Sequence, residues 1–351
     1  MIVDAAPAFR TRHANPYNAL LYQAVAERGV VVREYSPARL LRDRPDIVHL
    51  HWPELTFLSS HRAWQSRLRV ARFALLIGRA RRQGTRLIWT VHNDDAHEQR
   101  STPAVRRSLE RLLRRHVDGV LVLSEAAERS YRDRYGDEVP VFRTPHGHYR
   151  DAYPLSTSRA TARSQLGLAN EATLLVSVGQ IRPYKNLPAL TAALGELRDP
   201  ALQVAIAGKP DAAASADALR AAALADPRLV LELERLDDAR MGAWLCAADA
   251  VVLPYRRILN SGSAILALSA GRPVIVPAIG AMPELAKAVG PRWVYLYEGE
   301  LSGEVLRGAL DWVRETTRTQ PPNLDDFEWS VIAEATVRSY QTTLAAPRRR
   351  P

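Results

Sequence analysis

A short loop in the C-terminal half of the sequence combines a glycine with two cations. Gly179, Arg182 and Lys185 lie between an apolar run, Thr173–Val178, and an apolar helical pattern over residues 187–197. A glycine lets a ligand approach the backbone closely, and cations beside the start of a helix attract a diphosphate. The loop therefore predicts a diphosphate site, with solvated loop charges as the alternative explanation of Arg182 and Lys185.

Two further loops of the same half contain groups that favour anion binding. The first contains four small polar residues before an apolar helical pattern, and these are Asn260, Ser261, Gly262 and Ser263. Unpaired backbone N–H groups at a helix start bind anions, although an ordinary N-cap explains the same residue types. The second contains Gly208 and Lys209 at the end of an apolar run, where a simple turn is the alternative.

The N-terminal half contains the groups best suited to proton transfer. They follow the apolar run LIWTV and are His92, Asp94, Asp95 and His97. Imidazoles and carboxylates are the usual general bases of enzymes, so we predict His92, Asp94 and Asp95 as catalytic. Capping of the next helix by an aspartate is one alternative. A metal site from His92, Asp94 and His97 is another, but no matching ligand cluster occurs elsewhere, so we expect no metal.

Apolar runs of strand length alternate with amphipathic runs of helix length along the whole chain, which is typical of parallel α/β folds. We predict strands at 30–35, 46–51, 86–92, 119–124, 139–144, 173–178, 203–207, 229–233, 250–254, 273–277 and 293–297. We predict helices at 16–28, 62–82, 104–116, 125–135, 187–197 and 327–344. The ligand-binding loops all follow strands, where open α/β sheets bind their ligands.

Two doubly wound domains are expected, because apolar periodicity is lost between them. The junction lies within residues 145–170, where turn-forming residues accumulate. We expect an N-terminal domain over residues 1–150 and a C-terminal domain over 151–326. The helix over 327–344 is expected to complete the N-terminal domain, and residues 345–351 are expected to form a disordered tail.

Positive charge is concentrated in the N-terminal half. Residues 1–150 contain 26 Arg, no Lys and 16 acidic residues, whereas the other 201 residues contain 22 basic and 22 acidic residues. This excess predicts an anionic partner, such as a phosphate-bearing substrate or a membrane surface, with a genomic bias toward arginine as the alternative. Nucleic acid is not expected, since the sequence contains no recognised binding motif and only 7% aromatic residues.

The predicted helix over residues 62–82 has a cationic stripe between apolar flanks. At about 100° per residue, one face contains Arg62, Arg69, Arg72 and Arg79. The flanks are formed by Trp64, Leu68 and Leu75 on one side and by Phe73 and Ile77 on the other. Such a stripe suits the headgroup region of an anionic bilayer. A helix packed on its sheet with solvated arginines is the alternative.

The sequence predicts a cytoplasmic protein, peripheral on the inner face of the cell membrane. The longest apolar runs fall short of the roughly 20 residues that cross a bilayer. The N-terminus lacks the apolar region of a signal peptide, so we expect no export. The single cysteine, Cys246, excludes an intramolecular disulfide and a cysteine-cluster metal site.

Several segments together resemble the group 1 glycosyltransferases of the GT-B fold. In the C-terminal half these are, in order, GQIRPYKNLPAL, IAGKP, LCAADAVVLPY and ALSAGRPVIVPAIGAMPEL. The first resembles the family pattern G-R-x-x-x-K-(G/N)-x-x-x-L. In the N-terminal half they are DIVHLHWPE, LIWTVHND and TPHGHYRDAY. Within the family, the chain is most similar to bacterial exopolysaccharide transferases of the xanthan β-mannosyltransferase type.

The resemblance implies a fold and a reaction. The GT-B fold has two Rossmann-like domains that face each other across a cleft. The implied reaction moves a hexose from a GDP- or UDP-sugar to an acceptor hydroxyl on a lipid-linked glycan or polysaccharide precursor. No other cofactor is implied. The implied partners are therefore the nucleotide sugar and a glycan acceptor.

The resemblance also assigns residues to the donor and the acceptor. The implied donor-binding residues are Gly179, Arg182, Lys185, Gly208, Lys209, Asn260, Ser261, Gly262, Ser263 and Glu284, the last being the acid that ends the fourth segment. His92 falls where family members touch the donor sugar or the acceptor. The family's glycine-rich loop after the first strand is replaced here by RTRHANPYNAL. We therefore expect acceptor contacts from His13, Asn15, Tyr17, His51 and His97.

One departure from the family concerns the mechanism. Retaining members contain the motif E-x7-E, and its two positions are Ile258 and Leu266 in this sequence. Their replacement favours inversion, in which Asp94 or Asp95 deprotonates the acceptor hydroxyl. A nucleotide-sugar 2-epimerase and a non-catalytic GT-B protein that binds a sugar nucleotide or a partner are the alternatives.

Overall fold

The computed structural model describes residues 1–58, 62–93 and 102–348. The chain divides into two compact units. The first unit comprises Met1–Gly147 together with Asp326–Pro351, and the second comprises His148–Asp325. The division falls slightly before the expected boundary at residue 150.

The first unit is built on a parallel sheet of six strands in the order β2-β1-β3-β4-β5-β6. The strands are β1 (Ile2–Ala6), β2 (Val31–Glu34), β3 (Ile47–His51), β4 (Arg86–Val91), β5 (Gly119–Val122) and β6 (Val141–Arg143). The helices are α1 (Tyr17–Glu27), α2 (Pro37–Arg42), α3 (Pro53–Phe57), α4 (Ala63–Arg82), α5 (Pro103–His116) and α6 (Glu125–Tyr135). Every residue of β3 and β4 is buried, as expected for central strands covered on both faces.

Strand β1 is not among the predicted strands. Its sequence, IVDAA, contains alanine and aspartate, which are depleted in strands. The strand nevertheless lies between β2 and β3, with Asp4 fully buried. Burial raises the pKa of Asp4, and the guanidinium of Arg33 opposes this by donating a hydrogen bond of 2.8 Å to its carboxylate. This ion pair allows a carboxylate to occupy a central strand.

The second unit repeats the architecture, with strands in the order β12-β11-β10-β7-β8-β9. The strands are β7 (Thr173–Val178), β8 (Leu202–Ala207), β9 (Leu229–Glu232), β10 (Ala250–Val252), β11 (Val274–Pro277) and β12 (Val294–Tyr297). The helices are α7 (Arg159–Leu166), α8 (Leu187–Glu196), α9 (Ala213–Ala225), α10 (Asp238–Ala247), α11 (Gly262–Ser269), α12 (Met282–Val289) and α13 (Gly303–Glu315). All six strands predicted for this half are confirmed. Strand β7 lies between β10 and β8, where the winding reverses, and ligands bind beyond such points.

Helix α7 lies in the segment where the sequence predicts only a junction. The side chain of Ser158 caps it by accepting from the N–H of Thr161, and Gly167 ends it with φ of 68°. Its anchor is Arg163, which is fully buried and donates to the carboxylate of Asp249 at 2.7 Å. Because an arginine rather than an apolar stripe fixes this helix, hydrophobic periodicity does not reveal it.

The last helix, α14 (Trp329–Ala345), returns to the first unit. Ile332, Ala333 and Tyr340 of this helix are fully buried in the core of that unit. A Cβ atom on Gly147 would overlap the ring of Trp329, so the glycine allows the start of α14 to pack. Of the predicted tail, residues 345–348 are described, and residues 349–351 lie outside the described part of the chain.

Candidate functional site

The loop after β7 holds a buried lysine at the carboxyl end of the sheet. Gly179 follows the strand with φ of 93°, and a short 3-10 helix, Pro183–Lys185, leads into α8. The Nζ atom of Lys185 donates a hydrogen bond of 2.9 Å to the carbonyl oxygen of Val178. Burial, and secondarily the charge of Arg182, lower the pKa of Lys185 to about 8. This ammonium group therefore lies at the predicted diphosphate site, where an anionic partner would stabilise its charged form.

The loop after β8 packs against the loop after β7, backbone to backbone. A Cβ atom on Gly208 would overlap the carbonyl oxygen of Gly179, and Gly208 has φ of 148°. The N–H of Ile181 donates to the carbonyl of Lys209 at 2.9 Å. Gly208 is thus required by close packing of two loops. The side chain of Lys209 is exposed, and its contact with the donor stays a prediction.

The loop after β10 ends in the N-terminus of α11. The side chain of Ser261 caps this helix by accepting from the N–H of Ala264 at 3.1 Å, and its hydroxyl lies 2.8 Å from that of Tyr255. The predicted N-cap therefore exists. It leaves the N–H groups of Gly262 and Ser263 without an acceptor inside the helix, so capping and anion binding are compatible here.

Backbone contacts join the loops after β7, β10 and β11. The N–H of Arg256 donates to the carbonyl of Tyr184 at 3.0 Å. A Cβ atom on Gly280, whose φ is 55°, would overlap the carbonyl oxygen of Ile258. Glu284 lies half-buried in the first turn of α12, directly after the last of these loops. The loops after β8, β7, β10 and β11 are therefore joined in that order by backbone contacts at the carboxyl end of the sheet of the second unit.

Three histidines of the first unit are connected by hydrogen bonds, and we call them the histidine ladder. They are His49 and His51 on β3 and His92 after β4. The Nδ1 atom of His51 lies 2.9 Å from the Nε2 atom of His92. The Nε2 atom of His51 lies 2.6 Å from the hydroxyl of Tyr22. His49 continues the chain, because its Nδ1 atom lies 2.9 Å from the same hydroxyl and 2.7 Å from that of Tyr340. Hydrogen bonds thus connect His92 to the interior of the unit.

Aromatic rings enclose His92. The ring of Trp52 stacks on it at 3.9 Å between centroids, and Tyr17 packs edge-on at 5.2 Å. Trp52 has φ of 45°, a left-handed conformation that costs on the order of 1 kcal/mol for a residue with a side chain. Burial lowers the pKa of His92 and of His51 well below the usual value for histidine. Both imidazoles are therefore neutral at pH 7, as a general base must be.

The structure shows different environments for the predicted acceptor residues. Tyr17 and His51 are buried and support His92 from inside the unit. The side chain of Asn15 accepts from the N–H of Tyr17 at 3.0 Å just before α1, whereas His13 is exposed. Their contacts with an acceptor stay predictions. The remaining predicted catalytic and acceptor residues of this half lie outside the described residues, and these are Asp94, Asp95 and His97.

The described ranges contain no cluster of metal ligands. In residues 1–58, 62–93 and 102–348, no group of three His, Cys, Asp or Glu side chains lies close enough together to hold a metal ion. The alternative site from His92, Asp94 and His97 includes two residues outside those ranges. The expected absence of a metal therefore stays a prediction.

Helix α4 places apolar side chains on the surface of the first unit. Trp64, Leu68 and Leu75 are 59%, 61% and 77% exposed, whereas Phe73 and Ile77 are buried. One predicted apolar flank of the cationic stripe is thus exposed, and the other packs inside the unit. In the part of the chain that the structure describes, none of the helices has the length and apolar character needed to span a bilayer.

Comparison with known proteins identifies the family. Residues 172–299 match the family described as "Glycosyl transferases group 1", and residues 5–147 match the "Glycosyl transferase 4-like domain". The chain is 32% identical over 335 residues to the GDP-mannose:glycolipid 4-beta-D-mannosyltransferase of Xanthomonas campestris pv. campestris. This similarity covers 95% of the chain and 89% of the relative. The chain belongs to the group 1 glycosyltransferases. It is therefore a nucleotide-sugar-dependent transferase.

Solved structures of glycosyltransferases have the same fold as this group 1 glycosyltransferase. Sucrose-phosphate synthase from Thermosynechococcus elongatus matches 98% of this chain and 95% of its own, with a TM-score of 0.67 and 18% identity. HepE from Anabaena, in complex with UDP, matches 97% and 94%, with a TM-score of 0.61 and 16% identity. The GT-B fold is thereby confirmed. The epimerase alternative finds no support, and the relatives named as transferases favour an enzyme over a non-catalytic protein.

Proposed function

We propose that this enzyme transfers mannose from GDP-mannose to a hydroxyl of a lipid-linked glycan in exopolysaccharide biosynthesis, with inversion and without a metal. The observation behind the proposal is the 32% identity, along 95% of the chain, to a transferase named for GDP-mannose and a glycolipid acceptor. The proposed reaction breaks the bond between the sugar and the diphosphate. It forms a glycosidic bond and moves the hydroxyl proton to a base.

The second unit is proposed to stabilise the leaving diphosphate. Lys185 would supply an ammonium group that is already held in position by the carbonyl of Val178. Arg182 lies in the same loop, and the N–H groups of Gly262 and Ser263 lie at the start of α11. Fixed cations and N–H groups stabilise developing negative charge because they need no reorganisation during the reaction.

The first unit is proposed to supply the base. His92, Asp94 and Asp95 are the candidates, and the environment of His92 supports it. It is neutral through burial and held by His51 and Trp52. Inversion agrees with Ile258 and Leu266 at the two E-x7-E positions, because neither side chain can supply a carboxylate. A single displacement then needs one base on the acceptor side.

Attachment to the cytoplasmic face of an anionic membrane is proposed through α4. Its exposed apolar residues, Trp64, Leu68 and Leu75, lie beside the arginines of the cationic stripe. Apolar groups enter the headgroup region, and arginines pair with anionic lipids. A lipid-linked acceptor would be met at the same surface.

A transfer assay tests the proposed function. The full-length enzyme is incubated with labelled GDP-mannose, UDP-glucose or UDP-N-acetylglucosamine, in the presence of EDTA, together with lipid-linked glycans extracted from an exopolysaccharide-producing bacterium. We expect label to enter the lipid fraction from GDP-mannose, and the product to have a β-anomeric proton in its NMR spectrum. Label from a UDP-sugar alone would contradict the donor assignment, an α-linked product would contradict inversion, and loss of transfer in EDTA would contradict metal independence.

A further inference from the structure

Three consecutive backbone N–H groups in the loop after β1 bind one carboxylate oxygen, and we call these N–H groups the loop nest. They belong to Ala8, Phe9 and Arg10, and they donate to the Oε2 atom of Glu34 at 3.1, 2.9 and 3.3 Å. Glu34 is the last residue of β2, which pairs with β1. Its Oε1 atom lies 3.3 Å from the Nε atom of Arg10. Consecutive N–H groups form a concave anion site, and a side chain of the protein fills it here.

The loop nest lies at the point where the winding of the first sheet reverses. Strand β1 lies between β2 and β3, and the chain winds from β1 to β2 on one side and from β3 to β4 on the other. Ligands bind beyond the carboxyl ends of the strands at such a point. The loop after β1 is therefore one wall of the region in which His92 acts, since His92 follows β4 directly.

The loop contacts the histidine ladder through a ring. Phe9, whose N–H lies in the middle of the nest, packs edge-on against Tyr22 with 6.4 Å between the ring centroids. The hydroxyl of Tyr22 lies 2.6 Å from the Nε2 atom of His51. The position of the loop therefore affects the tyrosine that holds the ladder.

The loop has a second connection to His92 through the start of α1. The side chain of Asn18 donates to the carbonyl oxygen of Pro7 at 2.8 Å, and this bond ties the helix to the residue before the nest. Tyr17, the neighbour of Asn18, packs edge-on against His92 at 5.2 Å. Both tyrosines that support the ladder from this side thus depend on how the loop is held.

The shape of the loop depends on the carboxylate. Without it, three N–H groups would lose their acceptor, and Ala8 is fully buried, where an unpaired donor is costly. The loop would then rearrange to find other acceptors. The side chain of Glu34 is 29% exposed, so a small anion from solution can reach the nest when this side chain is removed.

We propose that Glu34 is a positioning residue for His92. Its carboxylate fills the loop nest and fixes the loop after β1. The fixed loop holds Phe9 against Tyr22, and it holds the start of α1 so that Tyr17 packs on His92. The inference rests on the proposed function, since it explains how one of the proposed bases is supported.

Anion rescue of a truncated side chain tests the proposal. Transfer from labelled GDP-mannose to extracted lipid-linked glycans is measured for the full-length wild type, Glu34→Ala and Glu34→Gln. We expect Glu34→Ala to lower the rate about tenfold, because the support of His92 shifts. Sodium acetate should restore most of this loss, because acetate refills the nest. Glu34→Gln should lose less than Glu34→Ala, since its amide oxygen still accepts hydrogen bonds, although without a charge.

A matched control and a nucleotide titration separate positioning from other effects. Glu27→Ala removes an exposed glutamate at the end of α1, and it should show neither the loss nor the rescue. Calorimetry should give the same affinity for GDP in the wild type and in Glu34→Ala, because the proposed donor site lies in the second unit. A loss of GDP binding in Glu34→Ala would place the effect at the donor and would overturn the proposal.

A spectroscopic readout makes the test independent of transfer. The protein is labelled with [15N]histidine, and the signals of His51 and His92 are assigned through His51→Ala and His92→Ala. We expect Glu34→Ala to shift both signals, acetate to return them toward their wild-type positions, and Glu27→Ala to leave them unchanged. Unchanged signals in Glu34→Ala would overturn the proposal.

The remaining outcomes keep the two proposals distinct. A wild-type rate in Glu34→Ala, or a loss that acetate does not restore, would overturn the role of Glu34. If Glu34→Ala fails to fold, Glu34→Gln replaces it, and an unchanged rate with unchanged histidine signals would overturn the proposal. Absence of transfer by the wild type would contradict the proposed function, and the histidine signals would then decide on Glu34.

Discussion

The Nδ1 atom of His51 lies 2.9 Å from the Nε2 atom of His92 inside the first unit. His51 is fully buried, and its other ring nitrogen is 2.6 Å from the hydroxyl of Tyr22. Both nitrogens of His51 are therefore in use, and its tautomer determines whether His92 donates or accepts at Nε2. We infer that His51 positions His92, and its predicted contact with an acceptor stays a prediction.

Substitution of the two histidines should affect catalysis to different degrees. We expect His92→Ala to lower kcat by about 100-fold, because a general base is lost. His51→Ala should lower kcat by about tenfold and leave the KM for the nucleotide sugar unchanged, because it removes only the support of the base. Steady-state kinetics of both variants measure this. His116→Ala, which changes the last residue of α5, is the control.

Near-normal kcat in His92→Ala would contradict its role as the base. The base would then be Asp94 or Asp95, and Asp94→Asn and Asp95→Asn should each be measured in the same assay.

The protonation of Lys185 should couple nucleotide binding to pH. Burial lowers its pKa to about 8, and a bound diphosphate favours the charged form, so binding raises the pKa. We therefore expect proton uptake on GDP binding at pH values just above 8, and weaker binding as the pH rises further. Calorimetry in buffers of different ionisation enthalpy measures the uptake. Lys185→Arg keeps the charge at all these pH values and should abolish it; equal uptake in both proteins would assign the proton to another group.

The contact between two loops makes Gly208 sensitive to substitution. A Cβ atom there would overlap the carbonyl oxygen of Gly179, and φ of 148° disfavours a side chain. We expect Gly208→Ala to lower the free energy of unfolding by about 2 kcal/mol and to weaken GDP binding. Gly195→Ala is the control, because that glycine of α8 has open space around its Cβ position and alanine favours helices. Denaturant unfolding and calorimetry measure both effects, and similar results for the two variants would contradict a role for the contact.

Exposed apolar residues of α4 should determine membrane binding. We expect the wild type to sediment with vesicles that contain phosphatidylglycerol, and the triple change Trp64→Ser, Leu68→Ser and Leu75→Ser to remain in solution. Leu224→Ser is the control, because Leu224 is 90% exposed in the second unit. Added salt should release the wild type from the vesicles. Equal sedimentation of the wild type and the triple variant would exclude this surface as the attachment site.

Local sequence patterns are sufficient to predict a strand and its binding loop where an apolar strand is followed by a polar loop. Strands β7 and β10 are such strands, and the sequence alone predicts a donor site in the residues after them, from Gly179 to Lys185 and from Asn260 to Ser263. Local patterns do not predict strand β1 and helix α7, because buried ion pairs stabilise them and apolar periodicity does not reveal such pairs. Asp4 pairs with Arg33 in the strand, and Arg163 of the helix pairs with Asp249.

The sequence alone does not predict the environment of His92, the predicted catalytic histidine. His49 and His51 alternate on β3 and so share a face, a pattern that the segment DIVHLHWPE contains. Their partners, Tyr22 and Tyr340, are distant in sequence, and only the fold brings them together. A pocket of the first unit is a similar case, because its walls come from four separate elements, α3, β4, α5 and α6.

Every step proposed for this enzyme depends on binding of the donor diphosphate by the loops of the second unit. The most direct measurement is calorimetric titration of GDP and UDP in the presence of EDTA. We expect GDP to bind the wild type, Arg182→Ala with Lys185→Ala to abolish binding, and the control pair Arg220→Ala with Lys287→Ala, which removes one exposed arginine and one exposed lysine of the same unit, to preserve it. Undiminished GDP binding in the Arg182 and Lys185 variant, or no nucleotide binding to the wild type, would contradict the assignment.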